Sequence, residues 1–208
     1  MALLHRATIA PTKGELVAAW LPTRPWAPAG PIGTGVSYRL DDPAGEVGLE
    51  AFLLTDGEGA NVHIPLSYRA QPLAGAEDHL LGTMEHSVLG RRWVYDACFD
   101  EVWTAALART ILQGGTQAEL LVDVGGGRLE RREPQVRVRG TGEPDAPLPP
   151  ISIRQVDEDE ATTTVRCDDL DVVVVRRIGV DPGHAHRLTA TWGAGPTDVP
   201  VAALSLSR

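Results

Sequence analysis

Asp96-Ala-Cys-Phe-Asp-Glu-Val-Trp-Thr-Ala-Ala-Leu-Ala-Arg-Thr-Ile-Leu-Gln113 is where the chain changes period. Val102, Trp103, Ala106, Leu107, Ile111 and Leu112 recur at the spacing that gathers apolar side chains on one face of a helix, and Gly114-Gly115 supplies the stop. On either side the period is two. Val62, Ile64, Leu66 and Tyr68 alternate with their neighbours, as do Val47, Leu49, Ala51 and Leu53, with Asp56-Gly-Glu-Gly59 as the hairpin loop between the two runs. His79–Ser87 and Arg91–Tyr95 read as a second hairpin through Leu89-Gly90. One long helix inside a field of short alternating strands defines an α+β fold, with the helix packed on an antiparallel sheet.

Further from this centre the signals are local. Leu3–Ala10 alternates and reads as an opening strand ended by Pro11. Thr12-Lys-Gly-Glu15 matches a capping box, so a short helix carrying Leu16, Val17 and Trp20 starts there and stops at Pro22. Residues 22–35 are rich in Pro and Gly and read as a surface loop with Trp26 as its one large apolar anchor, followed by a strand over Val36–Leu40. Glu119–Val124 reads as a strand and Gly125-Gly-Gly127 as a turn. The segment 129–150, charged and then rich in Gly and Pro, reads as a linker or exposed excursion. Beyond it, Ile151–Val156, Thr162–Cys167, Val172–Ile178, Arg187–Trp192 and Val199–Leu206 read as a small antiparallel β meander, with Val172–Val175 as its buried central strand. The implied organisation is an α+β domain over 1–128, the linker over 129–150 and a β subdomain over 151–208.

Composition bounds the function. The 208 residues are 43% hydrophobic and carry a net charge of −9, enough apolar content for a core and the wrong sign for a nucleic-acid partner. Two distant cysteines, Cys98 and Cys167, make neither a disulfide framework nor a Cys-x-x-Cys site. The N-terminus has no signal-peptide apolar stretch, and no window approaches the ~18 apolar residues of a membrane span. The expectation is a cytoplasmic protein with reduced thiols and no membrane association.

The motifs that invite chemistry are weak. Gly125-Gly-Gly127 lacks the Gly-Lys-Ser/Thr that a phosphate loop needs, and no Gly-x-Ser-x-Gly elbow is present. His184-x-His186 beside Asp181 would share one side of an extended segment but has no third ligand nearby in sequence. Asp157-Glu-Asp-Glu160 reads as a solvated hairpin tip, and Cys98 as a buried structural thiol. Of five tryptophans, Trp26 alone falls in a loop. With Arg24 beside it and Tyr38 nearby, it is the candidate for an exposed ligand-stacking surface.

The order of certain residues adds a resemblance. Arg24-Pro-Trp26 and Gly30 follow a helix ending in Trp20. Ile64-Pro-Leu-Ser-Tyr-Arg69 lies in a hairpin strand, and Gly82, Val94-Tyr-Asp-Ala97 and Asp100 run into the long helix. In this order they resemble the N-terminal cap of maltokinases and related aminosugar kinases. The likeness covers roughly residues 1–115 and is weaker beyond them. It implies a helix on a curved antiparallel sheet, reminiscent of cystatins. In the full enzymes, which phosphorylate maltose or a hexosamine with ATP and magnesium, the cap precedes a small lobe and a kinase-like catalytic lobe. Val173-Val-Val-Arg-Arg177 resembles the small-lobe strand that ends in Lys-x-x-Arg-Arg, with Val173 in place of the phosphate-binding lysine. No His-Gly-Asp catalytic loop occurs in these 208 residues. The resemblance therefore assigns no catalytic residue and no cofactor. It points to a non-catalytic cap-like interaction or regulatory module for a protein partner, a kinase or an enzyme of maltose, trehalose or glycogen metabolism. Edge strands in both sheets would also allow a homodimer. The alternatives are a carbohydrate- or nucleotide-binding protein without turnover, using Arg24, Trp26 and Tyr38, and an enzyme of unrecognised type.

Overall fold

The computed structural model describes residues 2–5, 7–56, 61–125, 127–193 and 197–207. The first helix, α1 (Lys13–Trp20), starts as its capping box requires. The Glu15 N–H donates to the Thr12 hydroxyl at 3.2 Å, and the Thr12 N–H donates to the Glu15 carboxylate at 2.7 Å. Leu16, Val17 and Trp20 are buried, and a 3-10 turn, Leu21–Thr23, follows with Pro22 inside it. The stretch read as one opening strand forms two: β1 (Ala2–Leu4) and β2 (Ile9–Ala10) enter different sheets.

The first large sheet contains β2, β3 (Ile32–Leu40), β4 (Gly48–Asp56), β5 (Asn61–Arg69), β6 (Leu80–His86) and β7 (Gly90–Asp96), ordered β2-β6-β7-β5-β4-β3 with every pairing antiparallel. The β4–β5 hairpin forms as its alternation predicts, while its expected loop residues 57–59 lie outside the described residues. Between the β6–β7 hairpin and α2 (Glu101–Leu112) the chain makes a 3-10 turn, Ala97–Phe99. Asp100 caps α2 by accepting the Val102 N–H at 3.0 Å.

A small sheet joins β1 in parallel to β8 (Leu120–Asp123), which pairs with β9 (Leu129–Arg132). The second large sheet holds β10 (Val136–Gly140), β11 (Ile153–Glu158), β12 (Thr162–Cys167), β13 (Leu170–Val175), β14 (His186–Trp192) and β15 (Val199–Leu206). Its order is β10-β14-β15-β13-β12-β11, all antiparallel, with β13 near the middle as its unbroken valines predict. It is not a simple meander. The last strand, β15, inserts between β13 and β14, and the long connection from Arg176 to Ala185 lets the chain leave room for it.

The segment 129–150 is not a linker. It supplies β9 and β10, and Val136 and Val138 of β10 are fully buried. Its glycines are close-approach positions: a Cβ on Gly140 would overlap the Thr110 carbonyl oxygen, and one on Gly142 the Leu112 carbonyl oxygen. The Gly142 N–H donates to the Ile111 carbonyl at 2.9 Å, satisfying an acceptor at the end of α2 that has no partner within the helix. Helix α2 packs against β10, β14 and β15 and also against the edge strand β3. One apolar cluster consequently runs from Tyr38, Leu49 and Leu53 through Trp103, Leu107 and Ile111 to Val172, Leu188 and Leu204. A second cluster, centred on Leu16, Trp26, Ile64 and Val94, lies under α1.

The two large sheets are tied together by polar groups that have no exposure. Arg176, at the end of β13, donates to Asp96 at 2.6 Å and to the Thr163 hydroxyl at 2.7 Å, and both charged residues are 0% exposed. Its guanidinium carbon lies 4.4 Å from the Trp26 ring centroid, a cation–π contact. Next to it, the His63 N–H donates to the Arg176 carbonyl at 2.9 Å. His63 Nδ1 lies 3.1 Å from the Val175 carbonyl, which fixes Nδ1 as the protonated nitrogen. Nε2 is therefore the acceptor for the Tyr38 hydroxyl at 3.0 Å. Burial, reinforced by the Arg176 charge, brings the His63 pKa down to about 3.

Two consequences are measurable. Arg176→Met leaves Asp96 buried and unpaired and should cost about 3–5 kcal/mol of unfolding free energy in urea denaturation. His63 is neutral when folded and has an ordinary pKa of 6.5 when unfolded, so the unfolded state binds the extra proton below that value. Its contribution is complete above pH 6.5 and is lost as the pH falls from there towards 3. Stability should decline over that window by roughly 1 kcal/mol per pH unit, and His63→Gln should flatten the slope.

Candidate functional site

The loop after α1 carries Arg24 and Trp26 into the joint between the sheets. Trp26 is 1% exposed, which corrects the expectation of an exposed stacking surface. Its ring meets Trp20 edge-on at 5.6 Å, the Arg176 guanidinium covers it, and its indole N–H donates to Glu158 at 2.8 Å. Arg24 sits over the Trp20 ring and 3.6 Å from the same Glu158 carboxylate. Glu158 thus belongs to the joint rather than to the hairpin tip, which Asp159 closes by accepting from the Ala161 and Thr162 N–H groups. Tyr38 is 2% exposed, and its hydroxyl is committed to His63. Arg24 and Trp26 are brought together with Glu158, whereas Tyr38 contributes to the core beneath α2. Together they leave no open aromatic face for a ligand.

An open concavity lies elsewhere among the described residues. A cleft of about 460 Å³ opens between the start of α1, the β3–β4 turn and the β6–β7 hairpin. Three of its lining residues, Lys13, Arg39 and Tyr68, bond to Glu50 on β4, which is 6% exposed. Glu50 Oε2 accepts from Lys13 Nζ at 2.5 Å, Arg39 Nη2 at 3.1 Å and the Tyr68 hydroxyl at 3.1 Å, and Oε1 accepts from the Ser37 hydroxyl at 3.0 Å. Burial alone would raise the Glu50 pKa. Arg39, Lys13 and the bonds from Lys13 and Ser37 outweigh it and hold the carboxyl below its ordinary range. Burial is also the largest influence on Lys13 and lowers its pKa, with Glu50 opposing and Arg39 reinforcing the shift. The Tyr68 hydroxyl is raised well above its usual value, first by burial and then by the Glu50 charge.

The turn above these residues is acidic. Asp42 accepts from the Ala44, Glu46 and Val47 N–H groups and so shapes the turn that presents Asp41 and Glu46 at the rim. Arg92 and His86 line the opposite hairpin. Sequence reasoning did not assemble this site, because its members come from five separated elements. Two signals were available: Glu50 interrupts an apolar strand between Leu49 and Ala51, and Lys13 is the one lysine in the chain. Among the described residues no group of three or more His, Cys, Asp and Glu side chains gathers in a metal-binding arrangement. Cys98 is buried and unpaired, with burial raising its pKa well above the ordinary thiol value.

The family motif residues can now be placed. Arg69 grips Asp100 with two bonds of 2.7 and 2.6 Å, joining β5 to the cap of α2. The Tyr95 hydroxyl accepts the Leu73 N–H at 2.9 Å, and Asp96 holds Arg176. Residues 20–100 match the maltokinase N-terminal cap domain. This segment spans β3 to β7, five of the six strands of the first large sheet, so the likeness to the cap domain covers that sheet, and the chain has the α+β architecture that the resemblance implied. A search of curated proteins finds no match to the chain.

The Glu50 hub makes an asymmetric prediction. Glu50→Gln leaves two cations sharing a neutral amide and should cost about 1.5–3 kcal/mol in chemical denaturation. Lys13→Met should cost less than half of that, because Arg39, Ser37 and Tyr68 still satisfy the carboxylate.

Proposed function

We propose that this chain is a non-catalytic, cap-like module that acts through a protein partner, a sugar kinase or another enzyme of maltose, trehalose or glycogen metabolism. The observation that carries the reading is how the motif residues are used. Arg69 is committed to Asp100, Asp96 to Arg176 and Tyr68 to Glu50, all within the fold. These residues build a rigid body rather than a reaction centre. At the strand that resembles a kinase small lobe, Val173 pairs across to Thr164 and Ala203, and Arg176 is enclosed against Asp96 with no exposed surface. Neither offers charge to a phosphate. The sole lysine lies at the start of α1, paired with Glu50.

The carbohydrate- or nucleotide-binding alternative loses its original support, because the Trp26 and Tyr38 rings are buried. Among the described residues no helix is long and apolar enough to cross a membrane. A cytoplasmic setting suits two buried, unpaired thiols, which an oxidising compartment would not favour.

The reading predicts that the purified chain, given ATP, magnesium and maltose, glucose or glucosamine in turn, releases no ADP above the sugar-free control. Magnesium-dependent phosphoryl transfer by this chain alone overturns it. A maltokinase from the same cell should co-elute with the chain on size exclusion at micromolar concentration. Separate elution would remove the kinase as the partner.

A further inference from the structure

The tip of the β6–β7 hairpin is held by one imidazole nitrogen. His86 Nδ1 accepts the Val88 N–H at 3.2 Å and the Leu89 N–H at 3.1 Å. Two backbone donors on one ring nitrogen require that nitrogen to be bare, so the ring is neutral and carries its proton on Nε2. The residues it holds are the two large apolar side chains of the tip, with Val88 55% and Leu89 45% exposed. Leu89, His86 and Arg92 also line the cleft described above, so the tip is one of its walls. Other bonds at the hairpin are indifferent to the state of the ring. The Ser87 N–H donates to the Thr8 carbonyl at 3.0 Å, the Thr8 N–H to the Ser87 hydroxyl at 2.9 Å, and Arg92 Nη2 to the Leu89 carbonyl at 2.7 Å.

We infer that His86 is a proton-operated latch on this wall of the cleft: the neutral ring holds the Val88–Leu89 tip closed, and the imidazolium releases it. A protonated Nδ1 is a donor, and it meets two backbone donors where it used to accept. Both bonds are then lost together, while the Thr8–Ser87 pair and Arg92 keep the hairpin attached. The groups that face the ring are cationic or become so: His5 meets it edge-on at 6.0 Å, with Arg92 from β7 and Lys13 from α1. Glu85 beside it is engaged by Arg91 at 2.7 Å, and Asp41, Asp42 and Glu46 belong to the opposite wall of the cleft. Burial, followed by the charges of His5, Arg92 and Lys13, lowers the His86 titration midpoint, with its own carbonyl working the other way. The latch is therefore closed at neutral pH and opens as the pH falls through a midpoint below the ordinary imidazole value. The inference is independent of the cap reading, because it concerns one hairpin and needs no partner protein.

Nitrogen and methyl signals of the full chain test it. In a labelled sample taken from about pH 8 to about pH 5, the Val88 and Leu89 amide protons should move upfield together and exchange faster, with the midpoint of the His86 ring nitrogens. The Leu89 methyls should shift with the same midpoint, and the Ser87 amide, bonded to Thr8 rather than to the ring, should hold its position. His86→Asn offers Oδ1 in place of Nδ1 and does not titrate, so both amides should stay at their neutral-pH positions throughout. His86→Leu should leave them at the released positions at every pH. The inference fails if either amide does not follow the His86 midpoint, or if the Leu89 methyls stay still while the amides move. It also fails if the same step survives in His86→Asn, which would assign it to His5.

Discussion

An arginine with no accessible surface must have its charge answered from inside the protein. Arg176 is answered by Asp96, and the two come from opposite halves of the chain: Asp96 ends the last strand of the first large sheet, and Arg176 ends the central strand of the second. Desolvating both groups costs several kcal/mol each, and only good geometry and additional hydrogen bonds recover it. Thr163 provides one such bond and Trp26 the ring face. His63 then uses its backbone and its ring on the same turn of chain, which brings Tyr38 into line. The mutual position of the sheets, the burial of the Trp26 loop and the bottom of the α2 core all follow from where this one cation is held.

The cap motifs look different once their contacts are known. Pro-Leu-Ser-Tyr-Arg69 and Val-Tyr-Asp-Ala97 carry the resemblance to the maltokinase cap, and they place polar residues inside strands. Each pairs across the fold: Tyr68 with Glu50, Arg69 with Asp100, and Asp96 with Arg176. A charged residue at a buried strand position is costly to replace one partner at a time. Such residues can therefore mark a domain clearly while taking no part in chemistry.

Local rules carried much of the architecture into the sequence. The capping box at Thr12, the 3.6-residue period of α2, the alternating hairpins and the apolar run of β13 all depend on neighbours in the chain, and each formed where it was read. The failures share one cause. Gly140 and Gly142 looked like linker residues, yet they are small because the carbonyls of α2 approach too closely for any Cβ. Trp26 looked exposed because nothing nearby in sequence covers it, while its partners Glu158 and Arg176 lie more than 130 residues away. The insertion of β15 beside β13 and the Glu50 hub are likewise long-range events. Periodicity and spacing describe the first kind of constraint and are silent on the second.

The segment that matches the cap domain ends at Asp100, the residue that caps α2. A boundary drawn there separates Asp96 from Arg176, removes the helix that covers Leu49 and Leu53, and leaves the edge strand β3 without β10 beside it. In this protein the segment that matches the cap domain is smaller than the unit that shares one buried core. The second sheet walls the same interior as the first, so a fragment cut at Asp100 would expose one unpaired carboxylate and part of that apolar interior.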